Sequence, residues 1–161
     1  MSAPTLKVYR TWDTGLISRI LTDPRIYGRM ADGASPPAEK FLPAAPDTGS
    51  VVYVAAEVDG TAMGLWGFVP RTTHRWEVHV ALLPEMWGET ARSASVLAAQ
   101  WLWSNTTCQC LVAHVPSCSP IVRKFAEDMG MAVCGTLPSA YFKHDRFHDL
   151  RILCLNRPAN S

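Results

Sequence analysis

Two runs rich in β-branched and aromatic residues, Val51 to Val58 and Thr61 to Val69, are joined by the dipeptide Asp59-Gly60. Asp-Gly favours the tight primed turn whose twist matches paired strands, so the middle of the chain is committed to an antiparallel hairpin. A third run, Arg75 to Leu82, follows the polar stretch Arg71 to His74. Its alternation sets Trp76, Val78, Val80 and Leu82 on one face and Glu77, His79 and Ala81 on the other. A carboxylate and an imidazole on one side of a strand call for partners or a cavity, because a polar group buried alone is costly.

Helical signals flank this sheet. Leu6 to Trp12 reads as a first strand, and Asp13 or Thr14 caps a short helix through Leu21 with Leu16, Ile17, Ile20 and Leu21 inward. Pro24 opens a second short helix. From 31 to 50, Pro36, Pro37, Pro43 and Pro46 bar regular structure and leave a long loop. Pro84 stops the third central strand, and Ala94, Leu97, Ala98, Trp101 and Leu102 repeat at helical spacing between Gly88 and Trp103. Leu111 to Val115 reads as a buried strand. Ser119 and Pro120 then cap and open a helix with Ile121, Val122, Phe125, Ala126 and Met129 inward, and Gly130 suits its left-handed end. Strands near Met131 to Thr136 and Phe147 to Leu155, joined by a polar and aromatic loop containing Tyr141, complete the chain. The expected architecture is an α/β fold: one central mixed sheet flanked by helices, in a single domain spanning 1–161.

Composition excludes several classes of function. With 15 basic and 14 acidic residues and a net charge of +1, the chain lacks the concentrated basic face that nucleic acid requires. No apolar run approaches the roughly 18 residues of a membrane span, and the start lacks the apolar core of a secretory signal, so a cytoplasmic protein is expected. Five cysteines are an odd number, which argues against a disulfide framework and for buried free thiols. Cys108, Cys110, His114 and Cys118 lack the second Cys/His pair of a zinc finger, so no metal is expected.

The segment Val80-Ala-Leu-Leu-Pro-Glu-Met-Trp-Gly-Glu-Thr-Ala-Arg92, together with the element order, resembles the GNAT superfamily of acyl-CoA-dependent N-acyltransferases. In that family a strand ends near a proline, and a turn of the form R/Q-x-x-G-x-G/A opens a helix whose amides hold the coenzyme A pyrophosphate. The second cofactor-side helix of the family resembles Ser119 to Met131. The Pro-x-x-Trp-Gly turn and Ala126 are similar to the branch that acetylates ribosomal proteins and to GNAT-like proteins of tailed phages, some of them assembly factors. The resemblance implies acetyl-CoA as cofactor, a primary amine of a small molecule or protein as acceptor, and a possible homodimer. It also leaves open a catalytically silent phage structural protein. Leu82, Leu83, Trp87, Gly88, Glu89, Thr90, Ala91, Arg92 and Ser119 fall at its cofactor-binding positions. Thr90 and Arg92 stand where the pattern has small residues, and Arg92 can either crowd a pyrophosphate or pair with it.

Transfer to an amine needs a polarised thioester carbonyl, an acceptor nitrogen freed of its proton and a proton for the leaving thiolate. By the resemblance, the strand end at Ala81 to Leu83 supplies main-chain donors. Glu77 and His79 are the candidates for the base; the alternatives are an ion pair of Glu77 with Arg71 or Arg75, and a core histidine. The family's tyrosine acid is replaced by Ala126, leaving Tyr141, Cys118, Ser117 or Ser119 as stand-ins. Ser119 also reads as a plain helix cap, and Cys118 as an inert thiol. Arg25, Tyr27 and Arg29 border the acceptor groove in relatives and otherwise form a solvated helix face.

Overall fold

A computed structural model describes residues 2–160. Its elements run β1 (Leu6–Arg10), α1 (Thr14–Leu21), α2 (Tyr27–Met30), β2 (Val52–Val58), β3 (Thr61–Pro70), β4 (Arg75–Leu82), α3 (Glu89–Asn105), β5 (Cys110–Pro116), α4 (Pro120–Asp128), β6 (Ala132–Lys143) and β7 (Arg146–Asn156). The seven strands form one sheet in the order β1-β2-β3-β4-β5-β7-β6. All neighbours are antiparallel except β4 and β5.

The local signals behave as their chemistry dictates. Asp59 and Gly60 both take positive φ, 48° and 83°, as the primed turn requires. The Asp13 carboxylate accepts from the Leu16 amide at 3.0 Å and caps α1. Gly130, at φ 93°, turns the chain after α4. Among the described residues no helix is long and apolar enough to cross a membrane.

The alternation of β4 divides the core between the two sheet faces. Ala81 packs with Ile17 and Ile20 of α1 and Leu65, whereas Trp76 packs with Ala94, Ala98 and Leu102 of α3 and Trp66 and Phe68 of β3. A smaller cluster of Ala113, Val115, Leu153 and Met131 receives Ala126 of α4.

Three expectations need correction. The polar loop expected between the last strands is itself strand: β6 and β7 continue to a turn at His144 and Asp145, with φ 52° and 60°. Tyr141 therefore lies on β6, after an irregularity in register between Leu137 and Tyr141. Cys134 and Cys154 are joined across β6 and β7 by a disulfide, so only Cys108, Cys110 and Cys118 are free thiols. Ser119 occupies the N-cap of α4, but its side chain makes no capping hydrogen bond.

Candidate active site

The parallel ladder between β4 and β5 is short. Arg75 pairs with Cys110, Trp76 with Leu111 and Glu77 with Val112, and there the pairing ends. Beyond Glu77 the two strands part, leaving unpaired backbone along one edge of β4. The Leu83 amide donates to Met63 on β3 at 2.9 Å. Strand alternation then turns the amides of Val80 and Leu82 toward β5, where the ladder has stopped. The Leu82 carbonyl, on the same edge, accepts from the Trp87 indole at 2.9 Å. Of the expected main-chain donors, Ala81 and Leu83 turn toward β3, where the Leu83 amide is already used, while Leu82 faces the opening together with Val80, which was not among those expected.

Glu77 sits at the fork of this opening with its side chain 12% exposed. Arg71 Nε donates to Glu77 Oε2 at 2.8 Å, and His79 Nε2 lies 3.0 Å from Oε1. From the opposite lip, His114 Nδ1 on β5 approaches the same Oε1 at 3.4 Å. Burial pushes the Glu77 carboxyl up, but the Arg71 hydrogen bond and the charges of His79, Arg71 and His114 outweigh it and hold the group below its ordinary value. Although the His79 side chain is 62% exposed, enclosure by the cleft walls pushes its pKa down against the pull of Glu77. Glu77 is accordingly a carboxylate and His79 a neutral imidazole near neutral pH.

Both residues line a cavity of about 880 Å3 that also receives His114, Tyr141, Ser119 and Arg29. Burial, followed by the charges of Asp32 and Cys118, raises the Tyr141 phenol above its ordinary value, so it keeps its proton. Cys118 is half-buried and does not line the cavity. Glu77 pairs with Arg71, one of the expected alternatives, and the same carboxylate lies against His79 in the cavity wall. The expected core position for His79 does not hold. Sequence reasoning passed over His114 except as part of a metal reading; among the described residues no cluster of three ligating side chains has metal-holding geometry.

The turn after β4 leads into the head of α3. Gly88 is its N-cap at φ 95° and ψ −138°, a conformation a residue with a Cβ rarely adopts, and nothing lies within 4 Å of where that Cβ would stand. No side chain caps the helix, so the first-turn amides of Glu89, Thr90 and Ala91 are open to an anion. Ala91 is buried and Thr90 half-buried. Arg92 is not a free phosphate ligand: it pairs with Glu89 at 2.7 Å and Asp128 of α4 at 3.4 Å. Trp87 turns its indole back onto the strand and carries the Arg29 guanidinium 5.1 Å above its ring. Arg25 binds Asp23 and Glu85, tying the α1–α2 connection to the turn.

No protein-family model matches the sequence, and no curated protein does. Solved structures do. The chain superposes on a spermidine N-acetyltransferase from Vibrio cholerae in complex with CoA and spermine, with TM-score 0.75, 16% identity and coverage of 94% of this chain and 95% of that one. A GNAT-family acetyltransferase from Streptococcus pneumoniae gives TM-score 0.72 at 12% identity, covering 95% and 100% of the two chains. The ribosomal-protein-S5-alanine acetyltransferase of Vibrio fischeri gives 0.73 at 11% identity, covering 98% of each. The parted β4 and β5, the Gly88-headed helix and these superpositions together show that the chain has the GNAT acetyltransferase fold.

Proposed function

We propose that the protein is an acyl-CoA-dependent N-acyltransferase, with acetyl-CoA as the simplest donor and a primary amine as acceptor. The observation that carries this reading is the opening between β4 and β5, where free strand amides and the Glu77–His79 pair meet at one cavity. The residues fit the cofactor: Gly88 lets the chain approach a pyrophosphate without a Cβ, and the uncapped first turn of α3 offers its amides and dipole.

When bound, the coenzyme supplies an acyl group activated as a thioester. The chain's own residues do the rest. The Val80 and Leu82 amides lie about 6.6 Å apart along the strand, so one of them donates to the carbonyl oxygen developing negative charge and the other is left for a further hydrogen-bond acceptor of the donor. Neutral His79 accepts the proton of the amine, and Glu77, held ionised by Arg71, orients the ring and stabilises its cationic form. Tyr141, protonated and on the same cavity wall, donates to the departing sulfur.

The melting temperature with and without millimolar acetyl-CoA, with CoA in parallel, tests the donor site through ligand linkage. A saturable rise with both supports it, and thiol release in the presence of an amine then tests turnover. A flat response to every CoA compound removes the reading and leaves a catalytically silent fold.

A further inference from the structure

The large cavity has two sides. Val78 and Val80 reach it from the β4 face that carries Trp76 toward α3, whereas Glu77 and His79 line it from the face that carries Ala81 toward α1. The α3 side leads to the uncapped helix head and belongs to the coenzyme's own arm, so the α1/α2 side is left to the acceptor. Register completes that side. His114 and Pro116 of β5 pair with Ile152 and Leu150 of β7, and Leu150 and His148 pair with Leu137 and Tyr141 of β6, which sets His114, Leu150, Leu137 and Tyr141 on one face. Residues 28–33 are strapped to the edge of this floor: Lys143 Nζ donates to the Gly28 carbonyl at 2.7 Å, and the Gly33 amide donates to the Phe142 carbonyl at 2.8 Å. The strap fixes the backbone of Arg29 at the rim of the cavity.

The charges on this side are unevenly committed. Glu77 is the carboxylate of the cavity wall, and it already gives Oε2 to Arg71 and Oε1 to the two imidazoles. On the strap, Asp32 accepts from the Ala34 amide and the Ser35 hydroxyl, and Lys143 is held by the carbonyls of Gly28 and Arg29. Arg29 differs from all of these. Among the described residues its guanidinium meets no carboxylate; it lines the cavity and lies over the Trp87 ring, whose indole is itself fixed to the Leu82 carbonyl. A second ammonium group on the acceptor therefore finds no free carboxylate here, whereas a carboxylate finds a free guanidinium of matching geometry. The remaining rim is apolar: Met30 and Leu137 line the cavity and stay 38% and 44% exposed.

We infer that the acceptor is a small α-amino acid with an apolar side chain. Its amine meets neutral His79 at the gap, its carboxylate pairs with Arg29, and its side chain lies against Met30 and Leu137. Three unlike partners around one opening suit the three unlike groups that diverge from a single α-carbon. The inference rests on the acyltransferase reading, which brings the thioester to the gap, and narrows the acceptor from any primary amine to one that carries a carboxylate. In the transfer the bond from carbonyl carbon to sulfur breaks and the bond from carbonyl carbon to nitrogen forms. Of the two protons that the ammonium sheds, one ends on the departing sulfur and the other in solvent.

Thiol release from acetyl-CoA, measured with leucine, methionine and phenylalanine, with the amines left when their carboxylates are removed, and with spermidine, tests the site. A hydrogen-bonded charged group is worth about tenfold to a hundredfold, so an accepted amino acid exceeds its own amine in kcat/KM by about that factor. Arg29→Ala removes most of this preference by raising the KM of the amino acid more than it lowers kcat, and Arg29→Lys restores part of it. Use of the amines or spermidine as readily as the amino acids overturns the inference, as does a preference that survives Arg29→Ala. A loss that falls on the calorimetric dissociation constant of CoA in place of the acceptor KM assigns Arg29 to the donor and overturns it too. Acetylation of none of the three amino acids, with CoA still bound, overturns the amino-acid site and spares the donor site; failure of CoA and acetyl-CoA to bind overturns the acyltransferase reading as well.

Discussion

His114 on β5 and Glu77 on β4 face each other across the point where their strands part, with Nδ1 3.4 Å from Oε1. One carboxylate thus serves an imidazole on each lip of the cleft, since His79 holds the same oxygen at 3.0 Å. If His79 is the base, Glu77→Gln and His79→Ala each lower kcat by about 10²–10⁴-fold, the usual worth of a positioned acid–base group. His114→Ala, which removes a neighbour and not the base, lowers it less than either. Steady-state kinetics on the three variants checks the order.

The same geometry sets the pH response. Glu77 and His79 both hold fewer protons in the native protein than in the unfolded chain, because both pKa values are lowered. Stability is therefore fully present above the ordinary imidazole value of 6.5. It declines as pH falls through the His79 range, and again below the ordinary carboxylate value of 4.5 as Glu77 takes up its proton. Melting temperatures from pH 8 to pH 4, at about unit steps, follow that decline. In Glu77→Gln the His79 titration moves to still lower pH, because the charge that raises it is gone; NMR of the ring protons reads this directly.

Gly88→Ala separates backbone geometry from contact. No atom stands within 4 Å of the added methyl, so any effect comes from forcing φ 95° on a residue with a Cβ. The expected cost is about 1–3 kcal/mol in chemical denaturation. If the turn relaxes instead, the cost appears as weaker binding of CoA, because the amides of α3 no longer converge.

Arg92→Ala gives the contrasting outcome. Its guanidinium is committed to Glu89 and Asp128, so CoA affinity changes by less than about threefold, as expected for exposed ion pairs of little net worth. A loss of a hundredfold in calorimetry would show that the arginine leaves these partners for a phosphate.

Asp13→Ala tests the frame apart from the site. Removing the acceptor for the Leu16 amide costs about 1 kcal/mol in urea denaturation, with donor binding unchanged.

What was legible in the chain was what short stretches determine. Asp59-Gly60, Pro84, Gly88 and Gly130 each dictate backbone locally, and the strand 75–82 announced itself by alternation with two polar intruders. His114 was not legible as a partner of Glu77, because only the parallel register Glu77 to Val112 brings it to the same face. For Arg92, crowding a pyrophosphate and pairing with it both stay open in the sequence: the pair with Glu89 is local, but Asp128, which also holds the guanidinium, lies 36 residues away on another helix. Tyr141 read as loop because the strand containing it is broken in register between Leu137 and Tyr141, which disrupts the alternation a strand is recognised by.

The brevity of the β4–β5 ladder also bears on how the molecule comes apart. Residues 6–82 supply a meander of four strands paired with sequence neighbours or near neighbours, and residues 110–156 supply a three-stranded sheet of their own. Within the sheet three rungs stitch these halves together, supplemented outside it by bonds such as Gly33 to Phe142 and Lys143 to Gly28. Hydrogen exchange will therefore find its weakest central amides along that seam, and under mild denaturant the halves will separate from each other before either unravels.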